Sequence, residues 1–388
     1  MRLRVVAFLL AALAASAANA ADVKLPPMLA LSGQAMGFQG AYVVAIGEAL
    51  QKNFGTRLEL RNAGAGPPVF APLREGSVAL AGANGATLLA AVEGVVSATQ
   101  PTNPNFAQPT WGPQPVRTVF QCLTPGGAGN MMTAADAGIR TLGALKGKRV
   151  ARNALNTDEV AAVLAFAGLT WSDVIAVDVA NGQAAIAALL ANQADAMVTA
   201  TTGAPAAQLA ASPRGLFWPP VPAADTAGWQ RLRAITPQAV PGLAVEGPGI
   251  SPERPLASIG TVGLNVVALA TQDSDLVYNL AKAVFATYGD YRAAAPGIDG
   301  CNVAQQVLGG YVAAWHEGAI RYFKEIGVWS EALQQANDRL AQRQEILAGA
   351  WTRAKAGSYA NDDAFRAAWM KTRAAALTAA GFEPFWTE

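Results

Sequence analysis

Residues 148–203 read KRVARNALNTDEVAAVLAFAGLTWSDVIAVDVANGQAAIAALLANQADAMVTATTG, and their alternation decides the fold class. KRVARN predicts a strand, residues 157–168 a helix, VIAVDVA a second strand, GQAAIAALLANQ a second helix, and ADAMVTATTG a third strand. Strands that return through helices argue for a mainly parallel sheet in an α/β unit.

The same pattern extends in both directions. Upstream, LALSG at 29–33 predicts a strand. A Gly-rich turn then leads into AYVVAIGEALQKNF, where Val43, Ile46 and Leu50 recur at helical spacing. RLELRN predicts a second strand, and residues 68–94 read as helix, turn, strand, turn, helix. Residues 97–115 carry Pro101, Pro104, Pro109, Pro113 and Pro115, which excludes a regular element and predicts a long surface loop. VRTVFQCL is a strand, and TPGGAGN is a glycine-rich crossing into the second unit. Downstream, residues 204–256 turn Pro-rich before the strand IGTVGLNVVALAT and the helix DLVYNLAKAVFATY. The tail from about Trp329 to Ala380 predicts long helices separated by AGSYANDD. These readings predict one lobe over 21–128, a second over 129–255, a return to the first over 256–328, and a helical extension over 329–388. A ligand cleft is expected between the lobes, at the carboxyl ends of both sheets.

Composition agrees with that scale. A chain of 388 residues implies about two domains. With 52% apolar and 14% charged residues there is ample material for two cores. The formal net charge of +1 offers no basic field for nucleic acid or for an anionic membrane surface. The first 20 residues, MRLRVVAFLLAALAASAANA, combine Arg2 and Arg4, an apolar run and a small-x-small end. They are expected to be a signal peptide, which directs the chain to the periplasm. The apolar run is too short for a membrane anchor, and no cysteine stands near the expected cut to carry a lipid. The two cysteines, Cys122 and Cys301, can form one bridge in an oxidising compartment; two buried free thiols are the alternative.

Catalytic patterns are missing. His316 is the only histidine, so no His-based metal cluster exists, and the cysteines lack ligand spacing. There is no G-x-S-x-G elbow. GALKGKR has three residues between Gly143 and Gly147 and places Arg149 where a phosphate loop needs Ser or Thr. Gly64 and Gly66 are followed by Pro67, Pro68 and Val69, which breaks a dinucleotide fingerprint. No catalytic residue, metal or cofactor is expected.

Four strand-to-helix turns are candidates for ligand contact instead. The first offers Gly37, Phe38, Gln39, Gly40 and Tyr42, with a helix expected to begin near Gly40 or Ala41. The second offers Asn84. The third, RNALNTDE, offers Asn153, Asn156 and Thr157, with Asn156 and Glu159 spaced as a capping box. The fourth offers Thr201 and Gly203, with Thr199 and Thr202 beside them, and Trp218 is expected nearby. A small anion is favoured at a helix start by its free NH groups and by the helix dipole.

Three stretches carry a family resemblance. HEGAIRYFKEIGVW at 316–329 is similar to His-Pro-Gly-Ala-Ile-Arg-Tyr-Tyr-x-Glu-x-Gly, the signature of TAXI-type solute receptors, with Glu317 in place of Pro. These receptors are the extracytoplasmic binding subunits of one branch of TRAP transporters. AGIRTLGALKGKRV at 137–150 with VLAFAGLTWSDV, and ALLANQADAMVTATTGAP at 188–205, resemble patterns shared with other two-lobed binding proteins. The resemblance covers about residues 28–329.

It implies a two-lobed periplasmic binding protein of the Venus-flytrap type, not an enzyme. Such a protein captures a small organic acid and delivers it to TRAP-type membrane permease subunits. GFQGAYVV, GAGPPVF and ALNTDE depart from the family's more polar turns, and with Phe38, Tyr42 and Trp218 they imply a less polar, even aromatic, acid. His316 is then expected to be a packed or capping residue, and Arg321 and Glu325, four apart on one helix, are expected to pair. A stand-alone ligand sensor and a secreted enzyme are the alternatives.

Overall fold

The computed structural model describes residues 22–35, 37–63, 67–95, 112–124, 129–153, 156–295, 297–307 and 312–385. The expected signal peptide and most of the Pro-rich loop lie outside them. The chain divides into two compact units. One takes residues 22–95, 112–123 and 263–383 of those described; the other takes nearly all of 124–262.

The first unit begins with β1 (Met28–Gly33), α1 (Gly37–Phe54), β2 (Arg57–Asn62), β3 (Leu80–Ala83), α2 (Gly85–Glu93) and β4 (Val116–Thr124). β1 lies parallel to both β2 and β3. The second unit contains β5 (Asn130–Ala134), β6 (Arg149–Arg152), α3 (Thr157–Phe166), β7 (Ile175–Asp178), α4 (Gly182–Leu190), β8 (Ala196–Thr199) and α5 (Ala204–Ala210). It continues with β9 (Leu216–Phe217), α6 (Thr226–Ile235) and β10 (Val240–Ala244). The sheet order is β7-β6-β8-β5-β9, parallel at its β7-β6-β8 side and antiparallel where β5 meets β8 and β9.

Both faces of this second sheet are covered, and successive residues serve opposite faces. Met131, Val150 and Val198 join the α3 and α6 side, where Phe166 meets Trp229 edge to face at 5.8 Å. Met132, Ala151 and Met197 join the α4 and α5 side. The Pro-rich reading of 204–256 misses α5, α6 and two short strands. Pro205 is tolerated because it occupies the first turn of α5, and Asp225 caps α6 by accepting from the Gly228 NH at 2.8 Å.

β11 (Leu256–Leu269) leaves the second unit, pairing with β10 through its first half and with β3 through its second. The first unit then resumes with α7 (Ser274–Ala286), α8 (Glu317–Glu325), α9 (Glu331–Lys355) and α10 (Asp362–Ala379). Cys122 on β4 and Cys301 are joined by a disulfide with an S–S distance of 2.00 Å. Both are fully buried in the first unit's core.

The two tail helices belong to the first unit rather than standing apart from it. Trp351 on α9 meets Trp369 on α10 at 4.9 Å, and the Trp369 indole donates to the Gly94 carbonyl at 2.8 Å. Glu93, at the end of α2, accepts from Arg343 Nε and Arg373 Nη1, each at 2.6 Å. Gln344 donates to the Val116 carbonyl and accepts from Arg117 and from the Ala314 NH.

No helix among the described residues is long and apolar enough to cross a membrane.

Candidate functional site

The turn residues of the first unit are largely committed to the fold. The first helix begins at Gly37, a turn earlier than expected from the sequence. Its core stripe therefore runs through Tyr42, Ile46 and Ala49, and Tyr42 is buried among apolar side chains. Gln39 is buried and donates to the Gly263 carbonyl at 2.7 Å. Gly40 is needed by the backbone: a Cβ there would lie 2.1 Å from the Ala35 carbonyl oxygen. The Phe38 side chain lies outside the described residues. Asn84 caps α2 by accepting from the Thr87 NH at 2.8 Å.

The second unit brings its candidates together. β6 and β8 are parallel neighbours, with Val150 beside Ala196, so Asn153 and the Thr199–Thr201 turn leave the sheet at adjacent carboxyl ends. Thr157 opens α3 and donates through Oγ1 to the Asn153 carbonyl at 2.8 Å. The expected capping box is absent. Asn156 makes no side-chain cap on α3; its Oδ1 accepts instead from the Asn153 NH at 2.9 Å, holding the turn that precedes the helix. Asn84, Asn181, Asp225, Asp273, His316, Ser330 and Asn361 do cap their helices. The Asn156 side chain therefore leaves the α3 start without a cap of its own, at a helix end whose dipole favours an anion. Asp158 supplies negative charge there, while burial, with Asp158 beside it, pushes the Glu159 carboxyl above its ordinary range. Gly203 precedes the seven-residue α5.

One contributor was not anticipated. Gly247, at φ 136°, runs so close to the Thr201 backbone that a Cβ would lie 2.6 Å from the Thr201 carbonyl oxygen. The sequence signal was the Gly-Pro-Gly at 247–249. Trp218 stands on the other side of this turn, with its indole donating to the Pro248 carbonyl at 3.2 Å.

His316 is scaffold. Its Nδ1 accepts from the Gly318 NH at 3.2 Å as the cap of α8, and its own NH donates to the Thr118 carbonyl at 2.9 Å. Desolvation pushes the imidazole below its ordinary range, outweighing the opposing effects of Glu317 and the nearby Gln272 carbonyl. The unfolded chain therefore takes up a proton near pH 6.5 that the folded chain refuses, and stability falls as pH drops through that value. His316→Asn keeps a capping acceptor without the titration. Urea unfolding is expected to show the wild type losing about 1 kcal/mol per pH unit relative to the variant just below pH 6.5. Equal slopes would contradict this.

The expected pairing of Arg321 with Glu325 does not form. Arg321 pairs with Asp275 at 2.7 Å and lies over the Tyr278 ring, while Glu325 pairs with Lys282 at 3.1 Å. Partners on α7 outcompete the neighbour on the same helix.

No metal-binding group of His, Cys, Asp or Glu is present among the described residues. No curated protein matches the chain. Among solved structures, it is similar to the alkanesulfonate-binding protein SsuA of Xanthomonas axonopodis pv. citri at 18% identity, over 84% of this chain and 95% of that one, with a TM-score of 0.38. The periplasmic aliphatic sulphonate binding protein SsuA of Escherichia coli is similar at 14% identity over 82% and 86%, TM-score 0.38. The L-cystine solute receptor of Neisseria gonorrhoeae is similar at 12% identity over 68% and 88%, TM-score 0.39. A family model matches residues 41–327, which is most of the α/β core and stops just short of α9: the chain belongs to the NMT1-like family.

Proposed function

We propose that the protein is an exported solute receptor that captures a small organic acid without reacting with it and passes it to a membrane permease. The observation that carries this reading is the junction of β6 and β8 in the second unit. There the start of a ten-residue helix, without a side-chain cap from Asn156, stands at strand ends adjacent to the Thr201 turn. Backbone NH groups and hydroxyls suit a carboxylate, since they donate without adding a competing cation. The Asp158 carboxylate in the same turn limits the charge the site tolerates and favours a monoacid over a diacid. The finer reading, a TAXI-type receptor working with TRAP permease subunits in the periplasm, is supported by HEGAIRYFKEIGVW and by the MRLRVVAFLL leader.

Thermal unfolding with candidate ligands tests the proposal on protein first unfolded and refolded to remove carried-over solute. A carboxylic acid at 100 times its dissociation constant is expected to add about 2.7 kcal/mol. Stabilisation by sugars or cations alone, or by none of the compounds, would overturn the reading.

A further inference from the structure

A pocket of about 350 Å³ opens on the flank of the second unit, against the edge strand β9. Its walls include Leu216, Phe217, Trp218, Ile250 and Arg254. It is not the strand-end turn described above. Leu216 pairs with Ala134 and Thr133 pairs with Ala196, so the start of β9 lies level with the start of β8 rather than with its Thr199 end. Ala210, the last residue of α5, lines the pocket at that same level.

Three features give the pocket a chemistry. Its aromatic wall is fixed: Trp218 is only 6% exposed and hydrogen-bonded to Pro248, and the Arg140 guanidinium lies 4.4 Å from the centre of the Phe217 ring. Its rim is a stiff double turn, closed by bridges between Gly247 and Ile250 and between Ser251 and Arg254. Gly249 adopts φ 77°, a conformation side chains disfavour. Finally, the rim presents a cation, Arg254. Glu253, the nearest carboxylate in sequence, accepts from the Ser251 hydroxyl at 2.8 Å, and among the described residues the Arg254 guanidinium has no ion-pair partner. An open pocket of this size, with an aromatic and aliphatic wall, polar groups along its rim and one charged side chain, has the make-up of a small-molecule site. A guanidinium at its mouth selects a carboxylate, which it can bind through two parallel hydrogen bonds.

We propose that this flank pocket is a second ligand site, taking a small monocarboxylate whose apolar body packs on Trp218 and Ile250 while its carboxylate meets Arg254. The site goes beyond the receptor reading and does not depend on it, because it uses none of the residues of the β6–β8 junction. A ligand here holds the 247–254 turn, whose Gly247 end touches Thr201, so the two sites share one structural element.

The test is calorimetry on the full chain with 3-phenylpropionate and its neutral amide. The acid is expected to bind, and the amide to bind at least about tenfold more weakly, a difference in keeping with one charge-assisted hydrogen-bond pair. Arg254→Gln removes the charge at an exposed position, and Ala210→Phe fills the cavity from an exposed helix end; each is expected to weaken the acid about tenfold or more. Thr157→Val with Thr201→Val is expected to leave it unchanged. Equal affinity for acid and amide, unchanged affinity in Arg254→Gln, or loss only in the double threonine variant would overturn the second site. So would the absence of binding at about 5 mM, the weak end of a specific small-ligand site.

Discussion

Replacing Glu93 with alanine is expected to destabilise the protein by about 3–5 kcal/mol, the range for removing one partner of a buried ion pair. The carboxylate is 1% exposed and holds Arg343 and Arg373, themselves 7% and 0% exposed. Without it, two buried guanidinium groups lose their shared carboxylate, and the ionic attachment of α9 and α10 to the end of α2 is lost with it. The neighbouring Trp369 bond to Gly94 would loosen at the same place. The cost belongs to the unpaired charge rather than to a net attraction within the triad. Glu93→Leu combined with Arg343→Met and Arg373→Met is therefore expected to recover most of the loss. Urea unfolding of the single and triple variants measures both effects. A loss under about 1 kcal/mol for Glu93→Ala, the range of an exposed pair, would mean that the triad is solvated and the tail loosely held.

The disulfide is the second large term. Cys122 and Cys301 are 179 residues apart, and the loop they close contains residues 124–262 of the second unit. Removing a native disulfide costs about 2–5 kcal/mol, with long loops at the upper end of the chain-entropy model. Cys122→Ala with Cys301→Ala is expected to lower the midpoint of the first unit's unfolding, while ligand affinity at the β6–β8 junction stays unchanged, because both sulfurs sit in the first unit's core. Scanning calorimetry beside a binding titration separates the two. An unchanged midpoint, or a loss of affinity without a loss of stability, would contradict the assignment.

Strand and helix order was legible wherever apolar periodicity was strong. β6, α3, β7, α4 and β8 fall where residues 148–203 place them, because a sheet covered on both faces demands near-continuous apolar strands. α6 escaped because Pro219, Pro220 and Pro222 precede it, although Asp225 was a readable start signal. Side-chain roles were less legible, since they are settled by tertiary neighbours. Tyr42 looked available only while the first helix was taken to begin three or four residues late. Asn156 matched a capping spacing yet serves the Asn153 NH, and Arg321 prefers Asp275 across helices to Glu325 along its own. Gly-Pro-Gly at 247–249 marked a turn, but only the fold shows that it lies against Thr201 and Trp218.

Carboxylate binding at the β6–β8 junction is checked by titrating the best-stabilising acid into wild type and into the Thr157→Val and Thr201→Val double variant. Both proteins should unfold within a few degrees of each other. The variant is expected to bind at least about tenfold more weakly, because it loses the Thr201 hydroxyl and the Thr157 bond to the Asn153 carbonyl that holds the turn. Unchanged affinity in a stable double variant would place the ligand elsewhere.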